Sequence, residues 1–158
     1  QNRNILTRKF QKSCANKIYD RFCGLNFDDW AVEVTVTAIN ALTVSFTVNP
    51  TPVLDENGDP VLDENGDQVM EVKTYESGYF NRGLIFKNGV YTSILSSTSN
   101  SVSLYRQHSG LHVGDVLKIA PACDQTRQVC HDKFDNHLRF MGFPNVPAVN
   151  PTNDQIVK

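Results

Sequence analysis

The sequence lacks an excess of charge of either sign. Its 158 residues carry 15 basic and 17 acidic side chains, which gives a formal net charge of −2. A near-neutral chain provides no electrostatic basis for binding nucleic acid or an anionic membrane surface. Long apolar runs are also lacking, so no segment is predicted to span a bilayer. We therefore expect neither nucleic-acid binding nor a membrane span.

The common motifs of enzymes are lacking as well. The chain has no Walker loop, no G-x-G-x-x-G and no Ser/His/Asp order typical of a hydrolase. Asp28 and Asp29 are adjacent carboxylates, but they directly precede Trp30 at the entrance to a predicted strand. A turn explains them better than an acid/base pair. We predict that the protein is not an enzyme.

Alternating apolar and polar residues are plentiful in the middle of the chain. Residues 32–38 and 42–48 alternate on either side of Asn40-Ala41, a pattern typical of an antiparallel hairpin. The succession of short strands and turns predicts a mainly β fold, a small antiparallel β-barrel or sandwich. Further strands are predicted at 69–75, 79–86, 90–95, 101–105 and 115–119, with an Asn-Gly turn at 88–89.

A tandem repeat interrupts this pattern. Residues 52–67 are two identical copies of PVLDENGD. Each copy contains Asn-Gly, a strong hairpin-turn signal, and two copies are too few for a solenoid. The alternative is a calcium site, but glycine precedes the third acid here, whereas it follows that acid in an EF-hand loop. We predict a solvated hairpin inserted at residues 52–68. The oxygen-bearing side chains of the calcium alternative are Asp55, Asn57, Asp59, Asp63, Asn65 and Asp67.

The two ends of the chain are predicted to contain short helices. Apolar residues recur every four positions near the start, which predicts a helix over part of residues 2–22. After Pro121, Asp124 can cap a helix from residue 125 to about 135. Prolines beyond residue 143 prevent a helix, so the tail is predicted to be an extended strap. The regularly spaced residues near the start are Leu6, Phe10, Cys14, Ile18 and Phe22.

Four cysteines occur only in these end segments. Cys14 and Cys23 form one pair, and Cys123 and Cys130 form the other. If the ends of the chain meet, all four thiols can converge. The spacings, C-x8-C and C-x6-C, are wider than the C-x2-4-C of zinc sites. Two disulfides, an iron–sulfur cluster with four thiolate ligands, and buried free thiols all remain open.

Convergence of the thiols restricts the local conformation. An unbroken helix would separate Cys14 and Cys23 by roughly 13 Å along its axis. A helix there is therefore predicted to break near Tyr19-Asp20, and Gly24 is predicted to close the turn.

The second cysteine pair carries similar predictions. Cys123 is expected just before its helix, whose N-terminus would favour the thiolate. Cys130 is expected about two turns into the helix. His131 and His137 are expected to be surface groups or neighbours of the site rather than ligands, because adjacent helical residues point about 100° apart.

Two stretches of the sequence resemble a known family. The first is KSCANKIYDRFCG, followed by Trp30 and a β-hairpin, and the second is PACDQTRQVCHDKFDNHLRFMGFPNVP. Both resemble segments of phage minor tail proteins, the tail-hub or tail-tip proteins of siphophages and gene transfer agents, including the minor tail protein L type of lambda-like phages. The departures are the inserted repeat and Ala122, where the family usually has glycine. A middle glycine motif is similar, more loosely, at Gly78, Phe80, Gly83 and Gly89.

The resemblance implies a C-terminal iron–sulfur domain. In that family the four cysteines hold a 4Fe-4S cluster, which here implies Cys14, Cys23, Cys123 and Cys130 as ligands. Because the chain begins with Gln1 rather than Met, we expect residues 1–158 to be a single domain at the C-terminal end of a longer tail protein.

The resemblance also implies a place in the virion. We expect a structural protein of the tail tip or baseplate, assembled in the cytoplasm of a bacterial host. Its partners would be the distal tail protein and the central spike or fibre protein, in a homo-oligomeric ring that the family suggests is a trimer. Two alternatives stay open: a cluster-bearing redox or electron-transfer protein, and a disulfide-stapled surface adhesion module.

Overall fold

The computed structural model describes residues 11–143 and Asn145. The chain divides into two compact units, each described by itself below. The larger unit is Phe27–Ala122, and the smaller unit is built from Gln1–Asn26 and Cys123–Lys158. The sequence prediction had placed residues 1–158 in one domain. No helix among the described residues is long and apolar enough to cross a membrane.

The larger unit consists of short strands and one helical turn. The helix, α1, is Phe27–Trp30, so Asp28 and Asp29 lie in a helical turn, and Lys118 donates to Asp28 at 2.8 Å. The strands are β1 Val32–Asn40, β2 Thr43–Val48, β3 Thr51–Pro52, β4 Met70–Glu71, β5 Leu84–Lys87, β6 Val90–Ser97, β7 Ser101–Leu104 and β8 Val116–Ala120.

Six of these strands form a closed antiparallel barrel. The order around the barrel is β1-β2-β7-β6-β5-β8. Strand β8 closes it by pairing with β1, where Leu117 faces Val34, and with β5, where Ile119 faces Ile85. A closed barrel leaves no strand with an unpaired edge. The prediction of a mainly β fold is confirmed, and of the two architectures it named the barrel is the one observed.

Alternation along the strands determines which side chains fill the barrel. On β1, Val34 and Val36 are at most 1% exposed, whereas Thr35 between them is only partly buried. Inward β-branched and aromatic side chains pack well on a pleated surface. The buried cluster comprises Val34, Val36, Val44, Phe46, Phe80, Ile85, Ile94, Val102, Leu104, Leu117 and Ile119.

The two predicted hairpins are confirmed. Strands β1 and β2 pair from Asn40↔Thr43 to Val34↔Val48. Strands β5 and β6 pair through the turn at Asn88 and Gly89, both of which have positive φ, as this turn type requires.

Two strand predictions were too long. Residues 79–83 form turns instead of the start of a strand, because Gly83 donates to the carbonyl of Phe80 and Arg82 has a φ of 60°. Phe80 still fills the core with no exposed surface. Of the predicted strand 69–75, only Met70–Glu71 is paired as β4.

The tandem repeat forms a three-way junction, which we define as residues 51–71. Its stem is β3 paired with β4, and two small hairpins close at the bridges Leu54↔Pro60 and Leu62↔Gln68. At the centre, Val61 donates to Val53, Val69 to Val61, and Val53 to Val69, each at 2.9 Å. Residues 54–60 and 62–68 are exposed. The insertion is solvated, as predicted, but it is two hairpins and not one.

The smaller unit has little regular structure among its described residues. Helix α2 is Arg127–Asp132, and a 3₁₀ helix follows at His137–Arg139. The first of these is shorter than the predicted helix at 125–135. The helix predicted within residues 2–22 is absent from residues 11–22, where turns occur instead, and residues 2–10 lie outside the described part of the chain. Of the extended strap predicted from residue 142 onward, Gly142 and Phe143 are described and lie in neither helix nor strand, Asn145 lies in a turn, and the other residues lie outside the described part of the chain.

Candidate functional site

The smaller unit brings the two cysteine pairs together. The amide of Cys14 donates to the carbonyl of Gln125 at 2.8 Å. The side-chain amide of Asn136 donates to the carbonyl of Cys23 at 2.8 Å. These bonds join segments more than 100 residues apart in sequence. The two cysteine-bearing ends therefore meet, which is the condition that the sequence analysis sets for convergence of the thiols.

Turns position the first cysteine pair. Tyr19 and Gly24 both have positive φ, at 64° and 76°. Between them, the Asp20 carboxylate accepts backbone N–H bonds from Lys17, Phe22 and Cys23, the last at 2.7 Å. The Cys23 bond is the main reason why the pKa of Asp20 is lowered. The predicted break near Tyr19-Asp20 and turn at Gly24 are found, although no helix precedes them in the described residues.

A capped helix positions the second pair. Thr126 is the N-cap of α2, and its hydroxyl accepts from the amide of Val129. The prediction that Asp124 caps the helix is therefore wrong: Asp124 lies two residues before the N-cap and accepts from the amide and hydroxyl of Thr126. Cys123 precedes this cap, as predicted. Cys130 is the fourth residue of α2, about one turn in and not two.

Hydrogen bonds surround the sulfur atoms. The amide of Met141 donates to Cys14 Sγ at 3.3 Å, and Asn136 Nδ2 lies 3.6 Å from Cys23 Sγ. The thiol of Cys130 donates to the carbonyl of Asn136 at 3.2 Å. N–H donors directed at sulfur stabilise a thiolate and are a common feature around metal-bound cysteines.

The four thiols interact electrostatically. Burial, together with the smaller effects of the Cys123, Cys14 and Cys23 charges, raises the pKa of Cys130 to about 11. Burial also raises the pKa of Cys123, against the opposing effect of an N–H bond from Gln125. The direction of this pKa shift is opposite to the prediction that the helix terminus favours the Cys123 thiolate. Burial is its main cause, and the charges of Cys23, Cys14 and Asp124 add to it.

The potential metal ligands that this arrangement offers are cysteine thiols. All four cysteines are free thiols; Cys14 and Cys23 are buried, and Cys123 and Cys130 are half-buried. Within residues 11–143 and Asn145, no three His, Cys, Asp or Glu side chains are grouped closely enough to hold one metal ion. A single zinc, with Zn–S bonds of about 2.3 Å, would need such a group. Iron–sulfur clusters are likewise held by cysteine thiolates.

The two histidines near the second cysteine pair in sequence, His131 and His137, contact each other. The side chain of His131 is 59% exposed, and its Nδ1 is 2.8 Å from Asp132 Oδ1. The ring of His137 lies 5.1 Å from that of His131. The surface position predicted for His131 is confirmed.

Sequence reasoning missed the role of Asn136. This residue contacts one cysteine from each pair, through the side-chain bonds to Cys23 and the main-chain bonds to Cys130. The only sequence signal for Asn136 is its place in the second stretch that resembles the phage family, and that stretch by itself assigns the residue no role. A role for its amide became visible only when the two segments were placed together.

Part of the chain matches a family of phage proteins. A family model described as "Phage conserved hypothetical protein BR0599" matches residues 73–150, just under half of the chain. The match begins directly after the three-way junction and includes Cys123 and Cys130. No curated protein sequence matches the chain.

A solved structure has a similar fold. A chain in the structure titled "Virion of native gene transfer agent (GTA) particle" is similar with a TM-score of 0.60 and 22% sequence identity. The similarity covers 90% of the present chain and 46% of that chain, so the present chain spans about half the length of its structural relative. At this identity the likeness establishes a shared fold.

Proposed function

We propose that this chain is a structural component of a phage tail tip, in which Cys14, Cys23, Cys123 and Cys130 together bind a 4Fe-4S cluster. The observation that carries the proposal is the meeting of both cysteine pairs in one small unit. The shared fold with a chain of a gene transfer agent virion supports a role in a virion particle. The phage family match over residues 73–150 supports the same class of protein.

The cluster would have an architectural role. Among the described residues of the smaller unit, the buried apolar side chains are Cys14, Cys23 and Phe134. These three side chains bury little apolar surface to offset the entropy of ordering two separate chain segments. When a metal site forms only in the folded chain, its binding free energy contributes directly to folding. Four thiolate ligands drawn from both segments would cross-link them.

The chain's own residues would stabilise the charged sulfurs. When bound, the cluster supplies iron cations that favour thiolates over thiols. The Met141 amide and the Asn136 side chain donate toward Cys14 and Cys23, and so compensate part of the negative charge of the thiolates. The raised pKa of Cys130 means that, without iron, this sulfur stays protonated at neutral pH.

The proposed partners are those of a tail tip. The domain would lie in a homo-oligomeric ring, a trimer in this proposal, between the distal tail protein and the central spike or fibre protein. Assembly in the reducing cytoplasm of a bacterial host suits thiolates better than disulfides. We propose no catalytic activity for it.

Anaerobic purification followed by iron and sulfide analysis tests the cluster. We expect four irons and four sulfides per chain, with a brown colour and a broad absorbance that dithionite bleaches. The four single Cys→Ser variants should each lose most of the iron, whereas the exposed control His131→Ala should keep it. A colourless protein with one bound zinc, or with two disulfides, would refute the cluster.

Electron microscopy of assembled particles tests the location separately. Particles produced with a tagged chain should carry the label at the tail end distal to the capsid. Labelling along the tail tube or on the capsid would contradict a tail-tip role while leaving the cluster unaffected.

A further inference from the structure

The three-way junction displays apolar side chains in an acidic surface. Each central valine is followed by a large exposed residue: Leu54, Leu62 and Met70 are 54%, 60% and 50% exposed. Val53, Val61 and Val69 are hydrogen-bonded to one another in a ring, which we call the valine ring. Because each of the three exposed residues directly follows one of these valines, the ring holds them near one another. Residues 51–71 contain seven acidic side chains and no basic one. Exposed apolar groups framed by a single sign of charge are typical of a protein interaction surface.

The smaller unit carries a surface of the opposite character, which we call the basic groove. It has a volume of about 860 Å³. Its basic side chains are Lys17, Arg21 and Arg139, and its one acidic residue, Asp20, is engaged by backbone N–H groups. Its exposed apolar side chains are Phe22, Leu138, Met141 and Phe143, of which Leu138 is 90% exposed.

We propose that the junction of one copy of this chain docks in the basic groove of a second copy. The occupant is inferred from complementarity: the junction is acidic with an apolar centre, and the groove is basic with an apolar floor. Because one chain carries both surfaces, every encounter between two copies offers this match. Contact between two different surfaces is heterologous, so it links copies head to tail.

The contact does not rest on the virion role, but the groove lies in the smaller unit, whose folding rests on the proposed cluster. The contact itself needs only that both surfaces are folded and accessible. The charges lie at exposed positions, so the contact is expected to form quickly and to weaken as salt screens it. The apolar side chains should provide the part of the affinity that salt does not remove.

Sedimentation equilibrium of the anaerobically purified protein tests this contact. We expect self-association that grows with protein concentration and weakens by about tenfold or more between about 50 mM and about 500 mM NaCl. A protein that stays monomeric at every concentration, or whose association is unaffected by salt, would overturn the proposal.

A charge-swap experiment identifies the two surfaces. Lys17→Glu with Arg21→Glu reverses the groove, and Glu56→Lys with Glu64→Lys reverses the junction without removing the Asp55 and Asp63 carboxylates that order its loops. Each double variant alone should associate at least about tenfold more weakly. An equimolar mixture of the two should associate again, because each reversed surface then meets an opposite charge. Failure of the mixture to recover would exclude the proposed pairing.

Matched controls separate the contact from misfolding. Arg127→Glu reverses an exposed charge of the smaller unit outside the groove and should leave association unchanged. Leu62→Ser should weaken it, whereas Leu95→Ser, at a comparably exposed position on β6, should not. Equal effects of Leu62→Ser and Leu95→Ser, with unaltered melting temperatures, would contradict docking at the junction.

Discussion

The two units of this protein differ in what stabilises each of them internally. The larger unit closes six strands into a barrel around eleven buried side chains. The smaller unit has, among its described residues, one six-residue helix, one 3₁₀ helix and very few buried apolar groups. The barrel can be stabilised by its own ladders and core. In our proposal, the four thiols of the smaller unit provide a cross-link between its two chain segments by binding a cluster.

Loss of one cysteine should have the largest effect, and this effect should be confined to the smaller unit. Cys130→Ser leaves three thiolates for the proposed cluster, so we expect most of the iron to be lost and the smaller unit to lose several kcal/mol of stability. Hydrogen exchange should show loss of protection in residues 127–141 while β1 and β2 stay protected.

The double variant Cys14→Ser/Cys130→Ser sharpens that test. One shared cluster predicts a double variant little worse than either single variant, because the first loss already removes the metal. Two independent disulfides would instead give additive losses of roughly 2–5 kcal/mol for each bridge. Additive behaviour would contradict a single site.

Truncation of a buried side chain in the barrel core should destabilise the larger unit and leave the smaller unit unaffected. Ile119 is fully buried and pairs with both neighbouring strands. Ile119→Ala should cost the larger unit about 2–5 kcal/mol through lost burial and a residual cavity. Val116→Ala, at a 53% exposed position of the same strand, is the matched control and should cost little. Urea denaturation followed by the fluorescence of Trp30 gives both values. Loss of iron at a lower urea concentration in Ile119→Ala than in Val116→Ala would mean that the units do not respond separately.

Removal of the Asn136 side chain should have a smaller effect, again limited to the cysteine unit. Asn136→Ala deletes the bonds to the Cys23 carbonyl and sulfur, which we expect to cost about 1–3 kcal/mol. Iron release to a chelator should be faster than in the unaltered protein. Gln128→Ala, an exposed change on α2, serves as the control, and equal release rates for the two variants would contradict a role for Asn136 at the cysteines.

Deletion of one PVLDENGD copy should have the smallest effect on either unit. The junction then loses one hairpin and its three-valine ring, but the stem of β3 and β4 can still be closed by the remaining hairpin. Since a shorter surface insertion changes loop entropy only slightly, we expect less than about 1 kcal/mol and unchanged iron content. Calorimetry and iron analysis check this. A large fall in melting temperature would show that the junction supports the barrel.

Local patterns were sufficient to predict much of the barrel. The period-two runs of β1, β2 and β7 and the Asn-Gly turn between β5 and β6 depend on neighbouring residues, so they could be read from the sequence. The turns at residues 79–83 could not be predicted from local patterns. They depend on a close contact with Ala120, a residue distant in the chain, because a Cβ added at Gly83 would lie 2.3 Å from the Ala120 carbonyl oxygen. The choice of a barrel over a sandwich likewise depends on which strands β8 joins, and this is a long-range pairing.

The sequence by itself determined that four cysteines would occur in two widely separated end segments, and that a β-rich region would lie between them. Only the tertiary structure decided that the two pairs meet, because the bonds from Cys14 to Gln125 and from Asn136 to Cys23 join residues more than 100 positions apart. It also decided against a helix in residues 11–22. There the Asp20 carboxylate binds backbone N–H groups that a helix would use, and so the apolar spacing of four was overridden by local turns.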